Sequence, residues 1–157
     1  MEIVHTPVLL NECLEYLSPV GEPFESHCLM IDSTLGEGGH TYNFLKKFPG
    51  LSVVGLDADA VIQSRAKERL AEFGDRVHFF NGWFNDFYDN YPEEYEKPDL
   101  ILFDLGISVF HYEKAERGFS FRHDEKLDMR LNANSETSAE DLVNELTEEK
   151  LADLIYL

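Results

Sequence analysis

The chain has 157 residues, 43% of them apolar and 13% aromatic, enough for one domain with its own core and incompatible with intrinsic disorder. Its 13 basic residues against 31 acidic ones give a net charge of −18, which argues against a non-specific nucleic-acid binder and against docking on an anionic membrane. Two cysteines without CxxC or metal-ligand spacing, an N-terminus without a basic n-region, and no apolar run near the roughly 18 residues of a membrane span predict a soluble, cytoplasmic α/β protein without metal.

Thr6-Pro7 reads as cap and first turn of a helix over Val8–Leu17, closed by Ser18-Pro19, with a loop following to His27. Cys28–Ile31 is an apolar run too short for a helix and followed by glycines, which predicts a buried strand. His40–Phe48 has helical spacing and stops at Pro49-Gly50; Leu51–Leu56 is a β-branched strand. Ala60–Phe73 places Ile62, Ala66, Leu70 and Phe73 on one helix face, with Asp59 in position to cap it. Val77–Phe80 is a third strand, residues 81–98 an aromatic and acidic loop with a helical turn or two, and Leu100–Phe103 a fourth strand. Strands alternating with helices of this length predict a parallel sheet with right-handed crossovers. Beyond Asp104 the periodicity fades, and positive charge is concentrated only over Tyr112–Arg130. Ser138 with Asp141 three positions on is a capping-box variant, and Thr147 can cap a last helix. That helix ends on the apolar Leu154–Leu157 with no C-terminal signal, which reads as a chain cut short, a docking end, or a helix packed on the core.

Several strand ends carry polar motifs. Asp32-Ser-Thr-Leu-Gly-Glu-Gly-Gly-His40 joins the first strand to the next helix, where glycines let backbone approach a ligand and leave N–H groups at a helix start. A dinucleotide fingerprint would have its third glycine at position 41; Thr41 stands there, which disfavours a pyrophosphate site. Asp57 ends the second strand, one helix and one strand after Gly36, where a carboxylate accepts hydrogen bonds from a ribose. Taken singly, each is equally a tight turn or a helix cap; together they mark a nucleoside-bearing cofactor. Trp83 and Phe84 can stack on an adenine or simply cover the sheet. Asp104 follows the fourth strand, where it can accept from an amine or cap a turn. Ala115-Glu-Arg-Gly-Phe-Ser-Phe121 and Leu127-Asp-Met-Arg130 interleave aromatics with arginine, as base stacking and phosphate contacts require, or form a charge-balanced lid. No G-x-S-x-G elbow, H-E-x-x-H or Walker lysine is present.

In this order, the stretches His5-Thr-Pro-Val-Leu-Leu-Asn-Glu12, Asp32–Thr41, Leu56-Asp-Ala-Asp59, Asp104-Leu-Gly-Ile-Ser108, Ala115–Phe121 and Leu127-Asp-Met-Arg-Leu131 resemble the MraW/RsmH family. These are S-adenosylmethionine-dependent methyltransferases of the N4 of a cytidine in small-subunit (16S) ribosomal RNA. The resemblance implies a Rossmann-like methyltransferase sheet, here incomplete with about four parallel strands, followed by part of an inserted helical domain that helps recognise RNA. The corresponding division is 1–108 for the cofactor-binding core and 109–157 for the start of the helical domain.

By that likeness Gly38, Gly39 and His40 line the methionine end of S-adenosylmethionine, Asp57 holds the ribose hydroxyls and Phe84 packs on the adenine. Asp104 lies beside the sulfonium as the candidate catalytic residue. His111, in Ser108-Val-Phe-His111, falls where the family has a cofactor-contacting Gln within Ser-Ser-Pro-Gln. Arg117, Arg122 and Arg130 are the candidate RNA contacts. The family is about twice as long, so the fourth strand is expected to be an exposed apolar edge. The implied partners are small-subunit rRNA and either a second copy or a missing C-terminal half. Two other readings of the residues stay open: a small-molecule methyltransferase sharing the cofactor half, and a cofactor-binding or structural remnant without activity of its own.

Overall fold

The computed structural model describes residues 7–18 and 27–156; His5, Thr6 as a helix cap, the loop over 19–26 and Leu157 lie outside them. The chain divides into two compact units, Met1–Gly106 and Ile107–Leu157.

The first unit holds α1 (Leu10–Tyr16), β1 (Cys28–Asp32), α2 (Gly39–Lys47), β2 (Leu51–Asp57), α3 (Ala60–Leu70), β3 (Val77–Asn81), α4 (Phe84–Asp89) and β4 (Leu100–Leu102). The four strands form one parallel sheet in the order β3-β2-β1-β4, as the alternation of elements predicts. Its register aligns Asp32 with Gly55 on one side and with Leu102 on the other, and Asp57 with Asn81. All four carboxyl ends therefore reach the same edge. The chain proceeds outward from β1 to β2 and β3 and then returns to the far side of β1, so β1 and β4 flank a topological switch point, where open α/β sheets bind ligands.

Successive strand residues face opposite sides. Met30, Val53, Val77 and Leu102 pack against Phe44 and Leu45 of α2, Phe48 just past its end, and Ala66 and Leu70 of α3, with Cys13, Leu14 and Leu17 at the margin. Ile31, Val54 and Leu56 face Phe87 of α4 and a shell of Phe80, Phe84, Tyr88, Tyr91 and Tyr95. β4 is an edge strand, and Ile101, Phe103 and Leu105 are exposed along and beyond it, as the shortness of the sheet implies.

The element ends differ from the sequence reading in instructive ways. α1 begins at Leu10 rather than Val8, because Leu9 takes a left-handed conformation (φ 51°). The helix expected to reach Phe73 stops at Leu70 and tightens into a 3₁₀ turn over Ala71–Arg76, broken at Gly74. Residues 81–98 hold one helix, α4. Asp59 caps α3 by accepting from the Val61 N–H. Positive charge also gathers where the sequence shows no cluster: Lys46 and Arg69 lie over the Tyr42 ring, and Lys46 and Arg76 over Phe73.

The second unit contains α5 (Val109–Glu113), α6 (Ala139–Glu145) and α7 (Glu148–Tyr156). Ser138 and Asp141 form the complete capping box, and Thr147 caps α7 through the Lys150 N–H. Between α5 and α6 the chain is irregular but tightly bonded. Gly118 sits at φ +73°, and a Cβ there would collide with the carbonyl oxygen of Lys126. Gly118→Ala is therefore expected to destabilise this unit by about 2 kcal/mol or more, combining left-handed strain with a backbone clash. Limited proteolysis checks it: cleavage should accelerate within 117–131, and an unchanged pattern contradicts the prediction.

Candidate functional site

The site is built on the carboxyl ends of β1, β2 and β4. Gly36, in the loop after β1, donates its N–H to Asp57 Oδ2 at 2.8 Å, and Asp59 N–H donates to Asp57 Oδ1 at 2.8 Å. The glycine loop and the acidic strand end, linked in the sequence only by spacing, are thus in direct contact. Asp57 in turn receives two bonds on its carbonyl, from the Gly82 N–H and the Asn81 amide, which fix β3 beside it.

The loop itself corrects one expectation. Glycines there were expected to present free N–H groups, yet Gly36 N–H faces Asp57 and Gly38 N–H bonds the Leu35 carbonyl at 2.8 Å. Gly38 is needed for two other reasons: its φ is +75°, and a Cβ would lie 2.9 Å from Leu70 Cδ1. A Cβ on Gly39 would meet Pro7 at 2.6 Å, so this glycine admits the segment before α1.

Thr41 answers the missing third glycine. Its hydroxyl donates to Asp32 Oδ2 at 2.7 Å, closing β1 onto the first turn of α2 by a buried hydrogen bond. Asp32 is buried and accepts a second bond from the Thr34 N–H at 3.3 Å. Burial pushes its carboxyl up to about 6; the bonds from Thr41 and Thr34 oppose the rise, while the charges of Asp57 and Asp104 add to it. Three carboxylates therefore share one edge of the sheet, a field suited to a cationic ligand.

Asp104 stands just past β4, half exposed, with its N–H held by Thr34 Oγ1 at 2.7 Å. Its Oδ2 lies 3.6 Å from His40 Nε2. Burial lowers the basicity of His40 against the pull of Asp104, so the ring favours its neutral form. A carboxylate can only accept, so the ring proton belongs on Nε2. Nδ1 then carries a lone pair, buried and without a hydrogen-bond partner among the described residues. Phe84 is half-buried and meets Phe103 edge to face at 5.4 Å, and Tyr88, whose hydroxyl pairs with Ser33 at 2.7 Å, meets the other side of the same wall.

The structure thus brings Gly38, Gly39, His40, Asp57, Asp104 and Phe84 to one edge of the first unit. His111 belongs to the second, its ring 5.3 Å from Phe119 and 5.8 Å from Phe110. Among the candidate RNA contacts, Arg117 donates to the carbonyls of Arg130 and Leu131 at 2.8 and 3.0 Å. Arg130 is paired with Asp128 at 2.7 Å and bonds the Ser135 carbonyl. The Arg130 guanidinium holds Asp128 down at about 2. Both arginines brace the loop, whereas Arg122 is exposed. The sequence reading assigned no role to Asp32, Thr34, Gly36 or Tyr88. Thr34 and Asp104 are 70 positions apart, so no local signal could have found that pair.

Among the described residues no helix is long and apolar enough to cross a membrane, and no group of three or more His, Cys, Asp or Glu could hold a metal ion. A family model described as "MraW methylase family" matches residues 2–157. The chain is 56% identical over 156 residues to a "Ribosomal RNA small subunit methyltransferase H" of Treponema denticola, covering 99% of this chain and 48% of that protein. It is 47% identical to the protein of the same name from Borrelia turicatae, covering 98% of this chain and 51% of the relative. Among solved structures, a SAM-dependent methyltransferase from Thiobacillus denitrificans in complex with S-adenosyl-L-homocysteine aligns with 62% of this chain and 43% of its own at 18% identity and TM-score 0.39. The chain spans about half the length of the curated relatives it matches. With the motif order and the strand-end geometry in agreement, the match over nearly the whole chain makes this protein a member of the MraW methylase family.

Proposed function

We propose that this chain carries the cofactor-binding half of a cytoplasmic S-adenosylmethionine-dependent methyltransferase that modifies the N4 of a cytidine in small-subunit (16S) rRNA. Residues 1–108 form the cofactor core and 109–157 begin the helical, RNA-recognising domain. The observation that carries the reading is the contact of Gly36 with Asp57 beside the switch point, with His40 and Asp104 across it.

The residues fit the cofactor. An ionised carboxylate has about four lone-pair sites, so Asp57 can hold its two backbone donors and accept from ribose hydroxyls as well. The converging carboxylates suit a ligand that carries a sulfonium and an ammonium. The orphaned Nδ1 of His40 offers an acceptor at the loop that would receive the methionine end. Phe84 supplies an apolar wall for the adenine.

S-Adenosylmethionine, when bound, supplies a methyl group on an already activated sulfonium. The chain's own contribution is positioning. Neutral His40 directs its Nε2–H at Asp104 and steadies one carboxylate oxygen, while Thr34 fixes the Asp104 backbone. The other oxygen accepts a hydrogen from the cytosine amino group, whose lone pair is conjugated and poorly nucleophilic. Asp104 would thereby raise the electron density on that nitrogen and take up the proton it loses when the methyl leaves the sulfonium, which departs as a neutral thioether.

Calorimetric titration of the chain with S-adenosylmethionine tests the cofactor reading: one-site binding is expected, and no heat from a folded chain overturns it. Methyl transfer from labelled S-adenosylmethionine to small-subunit RNA tests the rest. Asp104→Ala is expected to slow turnover at saturating cofactor by about 100-fold or more. Unchanged turnover would remove Asp104 from the mechanism.

A further inference from the structure

Phe121 is wholly exposed, at 104% of its reference area, on a loop that is otherwise braced. The bracing is dense. Arg117 binds the Arg130 and Leu131 carbonyls, and the Met129 N–H returns to the Arg117 carbonyl at 2.7 Å. The Gly118 N–H bonds Glu125 Oε2 at 2.9 Å, so the excursion from 118 to 125 is closed at its base. The Leu127 and Asp128 carbonyls accept from the Glu140 and Ala139 N–H groups at the start of α6. Phe119 turns inward to the His111 ring, whereas Phe121 and its neighbours Arg122 and His123 point outward.

An isolated exposed apolar residue needs no explanation, but a bare aromatic ring on a pre-formed loop is already in the state that binding requires. Its neighbour narrows the partner. The Arg122 backbone N–H bonds Ser120 Oγ at 3.2 Å, whereas its guanidinium has no hydrogen bond or ion pair among the described residues and is available beside the ring. A flat apolar face with an adjacent cation matches an unpaired nucleotide, whose base stacks and whose phosphate pairs. The net charge of −18 opposes a polyanion at long range, so recognition would rest on this local pairing of ring and guanidinium.

We propose that Phe121 stacks on an unpaired base of the RNA substrate and that Arg122 takes the neighbouring phosphate. The assignment rests on the RNA-methylating function proposed above and adds to it the residue that distinguishes unpaired from paired RNA.

The test is fluorescence anisotropy of the full chain with two labelled probes: a small-subunit rRNA hairpin with a cytidine in its unpaired loop, and a fully paired duplex of equal length. Phe121→Ala should weaken hairpin binding between about 5- and 100-fold and leave duplex binding unchanged. Phe121→Trp should retain the affinity, and its added emission should be quenched by the hairpin beyond any change seen in the parent chain. Arg122→Ala should lower the salt slope by about one. Phe121 is fully exposed, so circular dichroism of its variants should match the parent. Hairpin binding indifferent to Phe121→Ala, or a Trp variant as weak as the Ala variant, overturns the stacking assignment alone. Failure of the parent chain to bind the hairpin overturns the RNA reading and this inference together.

Discussion

Replacing Asp57 by Asn should reduce S-adenosylmethionine affinity by about 100-fold or more. Two ribose hydroxyls donating to a charged acceptor contribute roughly 1.5–3 kcal/mol each, and an amide retains only one oxygen. The amide also cannot satisfy both of its present backbone partners. Its NH₂ must face either the Gly36 N–H or the Asp59 N–H, each of which now donates to the carboxylate at 2.8 Å. A donor set against a donor costs about 1–3 kcal/mol, so the variant should also unfold more readily. Titration calorimetry and a thermal melt on the same preparation separate the two effects. A folded Asp57→Asn chain with affinity within tenfold of the parent would show that the ribose is held elsewhere.

Asp32→Asn should become more stable than the parent as pH rises from 4 to 7. The parent carboxyl is held at about 6 against an ordinary 3.8 because it is buried at the end of β1. The native state therefore retains a proton that the unfolded chain has already released. Its stabilising contribution is complete below about pH 4 and disappears as pH climbs through 6. By linkage the loss reaches about 3 kcal/mol at neutral pH. Asparagine carries no charge to desolvate. Its oxygen can accept from the Thr34 N–H, and its amide can donate to the Thr41 hydroxyl in reversal of the present bond. Urea unfolding of both chains at intervals between pH 4 and 8 measures the difference. Parallel curves would show that Asp32 titrates normally.

Cofactor binding makes these two positions one electrostatic unit. The charges of Asp57 and Asp104 raise the Asp32 carboxyl, so a cation bound among them should lower it again. The field that suits a sulfonium is thus part of what makes the ligand-free site lose stability as pH rises.

Much of this architecture was legible in the sequence because its causes are local or set by length. A strand covered on both faces, such as Cys28–Asp32, reads as a continuous apolar run. Asp59 and Ser138 announce helix starts because a short polar side chain reaches only its own next turn. The approach of the Gly36 loop to Asp57 was legible from spacing, since one helix and one strand separate them and a right-handed crossover returns the chain beside its start, but the hydrogen bond between them was not.

What the sequence by itself determined, then, is the parallel sheet, the edge on which its carboxyl ends gather, and the acidic and glycine-rich groups that stand there. Tertiary structure alone decided how those groups are used. It turned the Gly36 and Gly38 amides inward, gave Thr41 the work of a missing glycine, tied Asp104 to Thr34 and raised the Asp32 carboxyl by burial. It also separated three arginines that look alike in the sequence, with Arg117 and Arg130 bracing carbonyls and Arg122 left in water beside Phe121. The physical reason is common to all of these. A hydrogen-bond donor or a charge has no fixed partner along the chain, and only the packing around it decides whether it meets a carbonyl, a carboxylate or solvent.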